Sequence, residues 1–524
     1  MYRQTGVSEE SYNFYRTTVI IIYNFDALLY FITMNTGKDS RLQTLYIPAL
    51  LFIIAFFWKL LFINHRDICV DEPFTIFNAQ KSIAGILKLP AEGEPNPPLF
   101  MIFVHAWIRL FGVESSLVRI VPLLFNAITV VFIYLTGKRF FSFWTGLVAS
   151  GLFLFSSYHF FHGLQVRTYS LLTMSTASAL YFYMNYLQDV KNRKAFAGLV
   201  LSNLFLVYSH YFGWFVVFAQ FITSFVYVRN FRMFFRYQLP SVATVVGFLP
   251  MIYIVLKQFK KSSKGTWVRS PNPEDYYLQI YYFLNNKQVF QVALYIAAAG
   301  VLFTIFLLIR KKWKAINPGV AALFLWWFAP YTTMFLISSK IPVFTDTYVL
   351  YNTIGLFLFI PALFSQLFQQ HKYLEPIAGA VLVVFMFIHL RVLPDNVMYR
   401  EVKNAVEFVK KYDKEPNKRV ILIYPVWADL PFAFYYDKKL FGDCDNFYNT
   451  CPRQDIYRIW GLTHAKNILN AIPGRRVILF MEGNAGNPEE MLFEHLDSTY
   501  VRIDKAFFPQ TYNVGIYDPK PLTD

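Results

Sequence analysis

Apolar runs of membrane-spanning length recur along most of this 524-residue chain, and they constrain its fold more than any other feature. A helix needs about 20 predominantly apolar residues to cross the hydrocarbon core of a bilayer. Only 16% of the residues are charged, against about 25% in soluble proteins. Because backbone groups in lipid must pair within the protein, we predict an all-α polytopic membrane bundle. The predicted spans are 44–63, 117–137, 143–160, 169–187, 196–209, 211–228, 239–256, 289–309, 319–338, 348–367 and 375–392.

Two more segments are ambiguous. Residues 17–34 include Asn24 and Asp26, and residues 98–111 are short for a span, so either is interfacial, re-entrant or a further crossing. The prediction is therefore about 11–13 transmembrane helices, with residues 1–43 as an N-terminal segment that is interfacial or an extra span. The polar N-terminus lacks the pattern of a cleavable signal peptide, so the first span is expected to serve as an uncleaved signal.

Basic residues cluster between the apolar runs and predict the topology. The net charge is +16, and we attribute it to cytoplasmic loops and anionic lipid headgroups, because no nucleic-acid-binding module is visible. The clusters fall on one side of the membrane if 98–111 does not cross. They are Lys138-Arg139, Lys191 with Arg193 and Lys194, Arg229 with Arg232 and Arg236, Arg310 to Lys314, and Lys372. The opposite side then carries the first external loop, 66–116, and the C-terminal region.

Composition changes near residue 395, which divides the chain into a transmembrane domain, 44–394, and a C-terminal domain, 395–524. An amphipathic helix with Val402, Val406, Phe408 and Val409 precedes strand-like segments at 419–424 and 476–480. Their alternation with helical segments predicts a soluble α/β domain. Cys444 and Cys451 lie close in sequence within it, and whether they form a disulfide stays open, because proximity in sequence does not fix the geometry.

Acidic residues are concentrated just after the first predicted span. Asp71 and Glu72 precede Pro73, which suits the first turn of a helix, and we predict an interfacial helix over 73–89. A carboxylate at this position is favoured by the helix dipole, so simple capping is the alternative to a catalytic role. About twenty residues later, Glu94 and Asn96 lie in a proline-stiffened stretch that is suited to present them to a neighbouring site.

Cations and histidines occur on the same predicted side. Arg119, Arg167 and Lys340 are suited to bind a phosphate, although arginines at helix ends also contact lipid phosphate without any specific function. His159, His162 and His210 lack the spacing of a known zinc motif, so metal binding by them is not favoured.

The ordered set of motifs resembles the GT-C glycosyltransferases, in particular the bacterial family related to protein O-mannosyltransferases and to the lipid A aminoarabinose transferase. The resemblance covers roughly residues 44–400. The motifs are Asp71-Glu72 after the first span, Pro97-Pro98-Leu99-Phe100, Leu117-Val118-Arg119 before a span, and Arg167-Thr168-Tyr169-Ser170 between later spans.

This resemblance implies a polyprenyl-phosphate-linked sugar donor, inversion at the sugar carbon, and a bacterial inner-membrane protein with its active site and C-terminal domain on the periplasmic side. By motif match, Asp71 is the general base that deprotonates the acceptor, and Glu72 orients the acceptor. Substrate binding is expected at Glu94, Asn96, Arg119, Gln165, Arg167, Tyr169, Lys340 and Tyr348. Gln165 stands where many relatives have Glu, and Thr347 stands where many have Arg before the tyrosine.

The predicted function is therefore the transfer of a sugar to a lipid, glycan or protein acceptor. The alternative is a polytopic lipid or sugar transporter, but transporters place polar groups near the membrane midplane and often contain repeats. Here the charges concentrate on one side, and no clear repeat is visible. Neither the sugar nor metal dependence follows from the sequence, since an acidic cluster is compatible with a divalent cation and also with metal-free chemistry.

Overall fold

The computed structural model describes residues 45–262, 268–310, 316–369, 371–393, 400–415, 418–483, 488–508 and 512–521. The predicted N-terminal segment 1–43, including the ambiguous run 17–34, lies outside the described residues. Helices dominate the chain up to residue 388, and a mixed α/β domain follows. The predicted fold class is confirmed.

The bundle consists of long and short helices, and most of the long ones pack around a large apolar core. They are α1 (Ile47–Leu60), α2 (Glu72–Ala79), α3 (Ile83–Glu92), α4 (Leu99–Phe111), α5 (Ser115–Val118), α6 (Ile120–Phe140), α7 (Phe143–Leu154), α8 (Ser157–Gly163), α9 (Tyr169–Gln188), α10 (Arg193–Ser209), α11 (Gly213–Ser224), α12 (Phe231–Ser262), α13 (Asp275–Phe283), α14 (Lys287–Ile309), α15 (Pro318–Ile337), α16 (Asp346–Val349), α17 (Thr353–Leu367) and α18 (Leu374–Ile388).

Within the described ranges, five helical stretches are long and apolar enough to cross a membrane. They are Ser115–Phe140, Phe231–Lys260, Lys287–Leu307, Pro318–Ile337 and Asp346–Leu367. Five shorter apolar helices accompany them: α1, α4, α7, α11 and α18. The chain is a multi-pass membrane protein. The ambiguous run 98–111 forms the short helix α4, which is 13 residues long.

Two predicted helices are interrupted. The predicted helix 73–89 is wrong as a single element, because Gln80 and Lys81 close a turn after α2 and Ser82 starts α3 by accepting a hydrogen bond from the Gly85 amide at 3.1 Å. The predicted span 143–160 breaks at Ser156, whose hydroxyl donates to the Phe283 carbonyl at 3.0 Å. At each break, a serine side chain pairs with the backbone at the start of the second helix.

The C-terminal domain is built on a five-stranded sheet. Its strands are β1 (Arg419–Tyr424), β2 (Ile456–Arg458), β3 (Arg476–Glu482), β4 (Tyr500–Phe508) and β5 (Tyr512–Pro519), in the order β2-β1-β3-β5-β4. β1 pairs in parallel with β2 and β3, whereas β5 is antiparallel to β3 and β4. The strands predicted at 419–424 and 476–480 are confirmed, and β4 and β5 extend the sheet where helical segments were expected.

Helices cover both faces of this sheet. They are α19 (Val402–Tyr412), α20 (Asp429–Tyr436), α21 (Lys438–Gly442), α22 (Phe447–Arg453), α23 (Leu462–Ala471) and α24 (Pro488–Thr499). The predicted amphipathic helix is α19, in which Val402, Val406 and Val409 are buried and Phe408 is partly buried. Every residue of β1 is buried, as expected for a central parallel strand.

The C-terminal domain packs against the first external loop. The Phe77 ring of α2 lies 5.5 Å from the Phe441 ring and 5.1 Å from the Phe447 ring. The Ile68 amide donates to the Tyr435 hydroxyl at 2.6 Å. Apolar residues of the loop and of the sheet thereby form one core, so the domain is fixed next to the start of α2.

Cys444 and Cys451 have free thiols in this domain, so no disulfide joins them.

Candidate active site

Asp71 is the exposed carboxylate of the site. It occupies the N-cap position of α2, but its side chain makes no capping hydrogen bond, and 58% of the side chain is exposed. Its backbone carbonyl accepts from the Thr75 amide at 3.2 Å, which begins the helix. The side chain is therefore left for another partner, unlike that of a simple helix cap.

Glu72, the next residue, is fully buried. Its Oε2 lies 2.9 Å from Arg66 Nη1 and 3.4 Å from Arg119 Nη2, and its Oε1 accepts from the Val166 amide at 2.9 Å. These contacts satisfy both carboxylate oxygens in the interior, as a buried charge requires. They tie the start of α2 to the segment between α8 and α9, and they leave the carboxylate of Glu72 engaged inside the protein.

Arg167 follows this anchored amide and reaches Asp71. Its Nη2 lies 3.6 Å from Asp71 Oδ2, and its Nη1 donates to Thr75 Oγ1 at 3.0 Å. The residue is 8% exposed. Burial lowers the pKa of Arg167, but the negative charges of Asp71 and Glu94 outweigh that effect, so the pKa lies above its usual value. The result is a fixed cation beside an exposed carboxylate.

Glu94 and Asn96 lie in the rigid turn between α3 and α4. Glu94 Oε1 accepts from both the backbone and the side-chain amide of Asn96, at 3.3 and 3.1 Å. Its Oε2 is buried and has no hydrogen-bond partner among the described residues. Burial raises the pKa of the Glu94 carboxyl, although Arg167 and Asn96 oppose the shift. Glu94 thus adds a second acidic group near Arg167.

Aromatic and amide side chains line the neighbouring segments. Gln165 Oε1 lies 2.8 Å from His162 Nδ1. Tyr169 is buried, with its ring centroid 5.2 Å from that of His162. Tyr348 is half-buried, and its ring lies 5.4 Å from His210. These side chains come from three parts of the bundle that meet beside Arg167, which interacts electrostatically with both tyrosines.

Arg119, which is predicted from the sequence as a phosphate ligand, is engaged with backbone carbonyls. Its side chain is 1% exposed, and its Nη1 and Nη2 donate to the carbonyls of Ile63, Arg66 and Asp67 at 2.6–2.9 Å. Nη2 also contacts the Glu72 carboxylate, so both nitrogens already have partners inside the protein. Arg119 therefore organises the chain that follows α1.

Lys340, the third predicted cation, lies in the segment between α15 and α16 with its side chain exposed.

Three residues beside the site were missed in the sequence. Arg66 pairs with Glu72, and Thr75 holds Arg167. Asp346, whose Oδ1 accepts from the Thr347 amide at 2.7 Å, interacts electrostatically with His162 and Tyr169. Thr75 was detectable, since it lies one helical turn after Asp71. Arg66 had only its position at the end of α1 as a signal, and nothing local distinguishes Asp346.

No group of three or more His, Cys, Asp or Glu side chains suited to a metal ion occurs in the described part of the chain.

Comparison with known proteins gives one family match in sequence. Residues 95–256 match a family described as dolichyl-phosphate-mannose-protein mannosyltransferase. No curated protein matches the chain. The matched range begins within the proline-rich turn, directly after Glu94, and it includes Arg119 and Arg167.

Solved structures extend the similarity to nearly the whole chain. ArnT from Cupriavidus metallidurans in the apo state matches with a TM-score of 0.58 at 11% identity, over 91% of this chain and 98% of that chain. The same protein bound to undecaprenyl phosphate gives the same values. AglB from Archaeoglobus fulgidus, with an inhibitory peptide and a dolichol-phosphate, has a TM-score of 0.49 at 10% identity over 91% and 75% of the two chains. The chain has the GT-C fold, and the resemblance found in the sequence is confirmed.

Proposed function

We propose that this chain, with the fold of the GT-C glycosyltransferases, transfers a sugar from a polyprenyl-phosphate donor to a hydroxyl acceptor. The reaction would take place at the end of the bundle where Asp71 and the C-terminal domain lie. Asp71 acts as the general base. The observation that carries the proposal is the exposed Asp71 carboxylate 3.6 Å from the buried cation of Arg167.

The chemistry follows from this pair. The acceptor hydroxyl gives its proton to Asp71 and forms a bond to the anomeric carbon, while the bond from that carbon to the phosphate oxygen breaks. Attack opposite the leaving group inverts the sugar carbon. The lipid phosphate leaves as an anion, so the reaction needs positive charge and positioning more than it needs an acid.

Arg167 supplies charge on the leaving-group side of this proposal. Its Nε is buried and without a hydrogen-bond partner in the described residues, so one donor remains beyond its contacts with Asp71 and Thr75. A fixed, already desolvated cation stabilises a developing phosphate charge without reorganising first. Glu94 and Asn96 flank this position, and Gln165, Tyr169 and Tyr348 complete a wall suited to hold the donor.

Glu72 and Arg119 have supporting roles in this scheme. Their mutual contacts, with Arg66, hold the start of α2 against Val166. They position Asp71 and Arg167 rather than contacting substrate. Lys340 stays the proposed outer cation for the lipid phosphate, since its side chain is exposed.

The polyprenyl-phosphate donor is supported by the undecaprenyl phosphate bound to ArnT in the similar structure. The basic clusters in the loops between helices support an inner-membrane topology with Asp71 on the periplasmic side. The acceptor is a lipid, a glycan or a protein. The GT-C fold does not favour the transporter alternative.

The test uses cells that lack this protein. Mass spectrometry of envelope glycolipids and glycoproteins identifies the sugar that wild-type protein restores. Asp71→Asn should abolish that restoration while the purified variant keeps its thermal stability, since the side chain is exposed. Glu114→Gln is the matched control, because Glu114 is a 57% exposed carboxylate that pairs with Lys438. Full restoration by Asp71→Asn would exclude Asp71 as the base.

A further inference from the structure

A pocket opens in the C-terminal domain at the carboxyl ends of β1 and β2. Its volume is about 310 Å³, at the lower end of the roughly 300–1,000 Å³ typical of small-molecule sites. Ligands of open α/β sheets usually bind at the carboxyl ends of parallel strands. The floor is apolar and consists of Ile423, Phe432, Ala433, Leu440 and Phe447.

An acidic group with an unused oxygen faces this pocket. Asp429, at the start of α20, is 7% exposed. Its Oδ1 accepts from the Leu430 amide at 2.7 Å, whereas its Oδ2 is buried and has no hydrogen-bond partner in the described chain. The nearest cation, Arg458 Nη1, is 3.6 Å from Oδ2, which is longer than a hydrogen bond. His464, also in the lining, has a buried Nδ1 without a partner in the same described residues.

Unsatisfied buried polar atoms are rare in native proteins because each costs roughly 1–3 kcal/mol. A ligand with hydroxyl groups would supply hydrogen-bond partners for both of these atoms. The carboxylate of Asp429 accepts from hydroxyl donors, and His464 Nδ1 accepts or donates according to its tautomer.

Aromatic side chains form the mouth. Trp460 lines the pocket and is 71% exposed, so its ring is accessible to a ligand. Tyr448 lies beside it in the lining, and the Arg458 guanidinium stacks on the Tyr448 ring at 4.1 Å. A flat apolar ring next to hydrogen-bonding groups matches a pyranose, which has an apolar C–H face and a rim of hydroxyls.

The charge of the pocket selects between ligand classes. Asp429 and Arg458 offset each other, and Arg458 is already engaged with both Asp429 and Tyr448. An anionic ligand would meet the Asp429 carboxylate without a free compensating cation in the lining. A neutral ligand fits this balance better.

We propose that this pocket binds a neutral sugar residue, with a hydroxyl donating to Asp429 Oδ2 and a sugar face packed on Trp460. The site is separate from the candidate active site, because none of the residues that line the pocket belongs to the set around Asp71 and Arg167. It goes beyond sugar transfer, since binding here requires no donor and no chemistry. It gives the protein a saccharide contact on the same side as the candidate active site.

The test measures binding to the full chain in lipid nanodiscs, without maltoside or glucoside detergents, whose headgroups would compete. Saturation-transfer NMR is recorded with glucose, galactose, mannose and N-acetylglucosamine as neutral probes. Glucuronate and inorganic phosphate serve as anionic probes. The variants are Trp460→Ala and Asp429→Asn. The matched control is Trp427→Ala, at a tryptophan of this domain that is 64% exposed and does not line the pocket.

At least one neutral sugar should bind to the wild type and to Trp427→Ala. Its affinity should fall about tenfold or more in Asp429→Asn, as expected from the loss of a charged hydrogen bond, and its signal should be lost in Trp460→Ala. Because Trp460 is exposed, its truncation should leave folding intact. Asp71→Asn should keep this binding, which separates the result from the test of sugar transfer. The proposal is overturned if no neutral sugar binds, if only the anions bind, or if both pocket variants bind like wild type.

Discussion

At the scale of single residues, adjacent carboxylates acquire opposite roles. Asp71 is 58% exposed at its side chain, and Glu72 is fully buried. The sequence predicted the importance of this pair because acidic residues at a membrane edge are costly. It predicted a direct role for Glu72 on the acceptor, and the burial of Glu72 opposes that role. The partners Arg66 and Arg119 are brought to Glu72 by tertiary contacts, so no local sequence pattern indicates that Glu72 is buried.

Arg167 offers a prediction about positioned charge. Arg167→Lys keeps a cation but cannot bridge Thr75 and Asp71 with two nitrogens of one planar group. Loss of one charge-assisted hydrogen bond, about 1.5–3 kcal/mol, corresponds to a roughly 10- to 100-fold fall in transfer. Steady-state kinetics with the identified donor should show this loss in kcat/KM. Unchanged kcat/KM would contradict a role for Arg167 beside the phosphate.

Asp429 offers a prediction about pH. Burial raises the pKa of its carboxyl to about 6 from an ordinary value of 3.8, against the opposing effect of Arg458. The folded protein therefore holds this proton more tightly than the unfolded chain, so the residue's contribution to stability declines as pH rises from about 4 to 6. Asp429→Asn lacks this decline.

The thermal midpoints of wild type and Asp429→Asn should be compared at about pH 4.5 and about pH 7.5. The variant should gain stability relative to wild type at the higher pH, by about 2 kcal/mol, which is the part of a shift of two pKa units that is lost between these pH values. A stability difference that is the same at both values, or larger at the lower one, would contradict the shift. The same variant is expected to bind sugar less well, so stability and binding oppose each other at this position.

At the scale of elements, α2 is held at its start by a buried charge cluster. Arg119 bonds to three carbonyls of the chain that follows α1 and to Glu72 of α2. The sequence placed Arg119 at the start of a predicted span. Whether its partners are a phosphate or backbone carbonyls depends on how the chain after α1 folds back against it, and no short motif determines the course of that chain.

Arg119→Met should therefore affect folding rather than donor affinity. Breaking a buried pair leaves an uncompensated charge and costs about 3–5 kcal/mol. Purified variant should show a lower thermal midpoint and yield, whereas Arg109→Met, at an exposed arginine near the end of α4, should behave as wild type. A stable Arg119→Met protein with only a raised donor KM would restore the phosphate role.

Element boundaries show where sequence patterns fail. The apolar runs gave most helices of the bundle, since hydropathy and length determine a span. The break at Ser156 depends on a hydrogen bond to the distant carbonyl of Phe283. The break at Gln80 depends on a hydrogen bond to the nearby carbonyl of Phe77. The strands β4 and β5 were missed because β5 is largely buried, β4 lies at the edge, and neither shows a clean alternation along its length.

At the scale of the whole molecule, the proposed topology is directly testable. Single cysteines at Glu92 and Lys191, both exposed positions, should label from opposite sides of the membrane in a background with Cys444→Ser and Cys451→Ser. Glu92 lies in the first external loop, and Lys191 lies in a basic cluster between α9 and α10. Labelling from the same side with a membrane-impermeant maleimide would overturn the positive-inside argument.

The contact between Ile68 and Tyr435 joins residues 367 positions apart. Chains grow at about 5–20 residues per second, so the ribosome needs about 20–70 s after making Ile68 before its partner exists. Throughout that interval Phe77 lacks Phe441 and Phe447, the aromatic residues that later pack against it. The loop that carries Asp71 can therefore reach its final packing only after the C-terminal domain is made. We expect a chain truncated before that domain to be degraded by quality-control proteases rather than to accumulate in a partly active form.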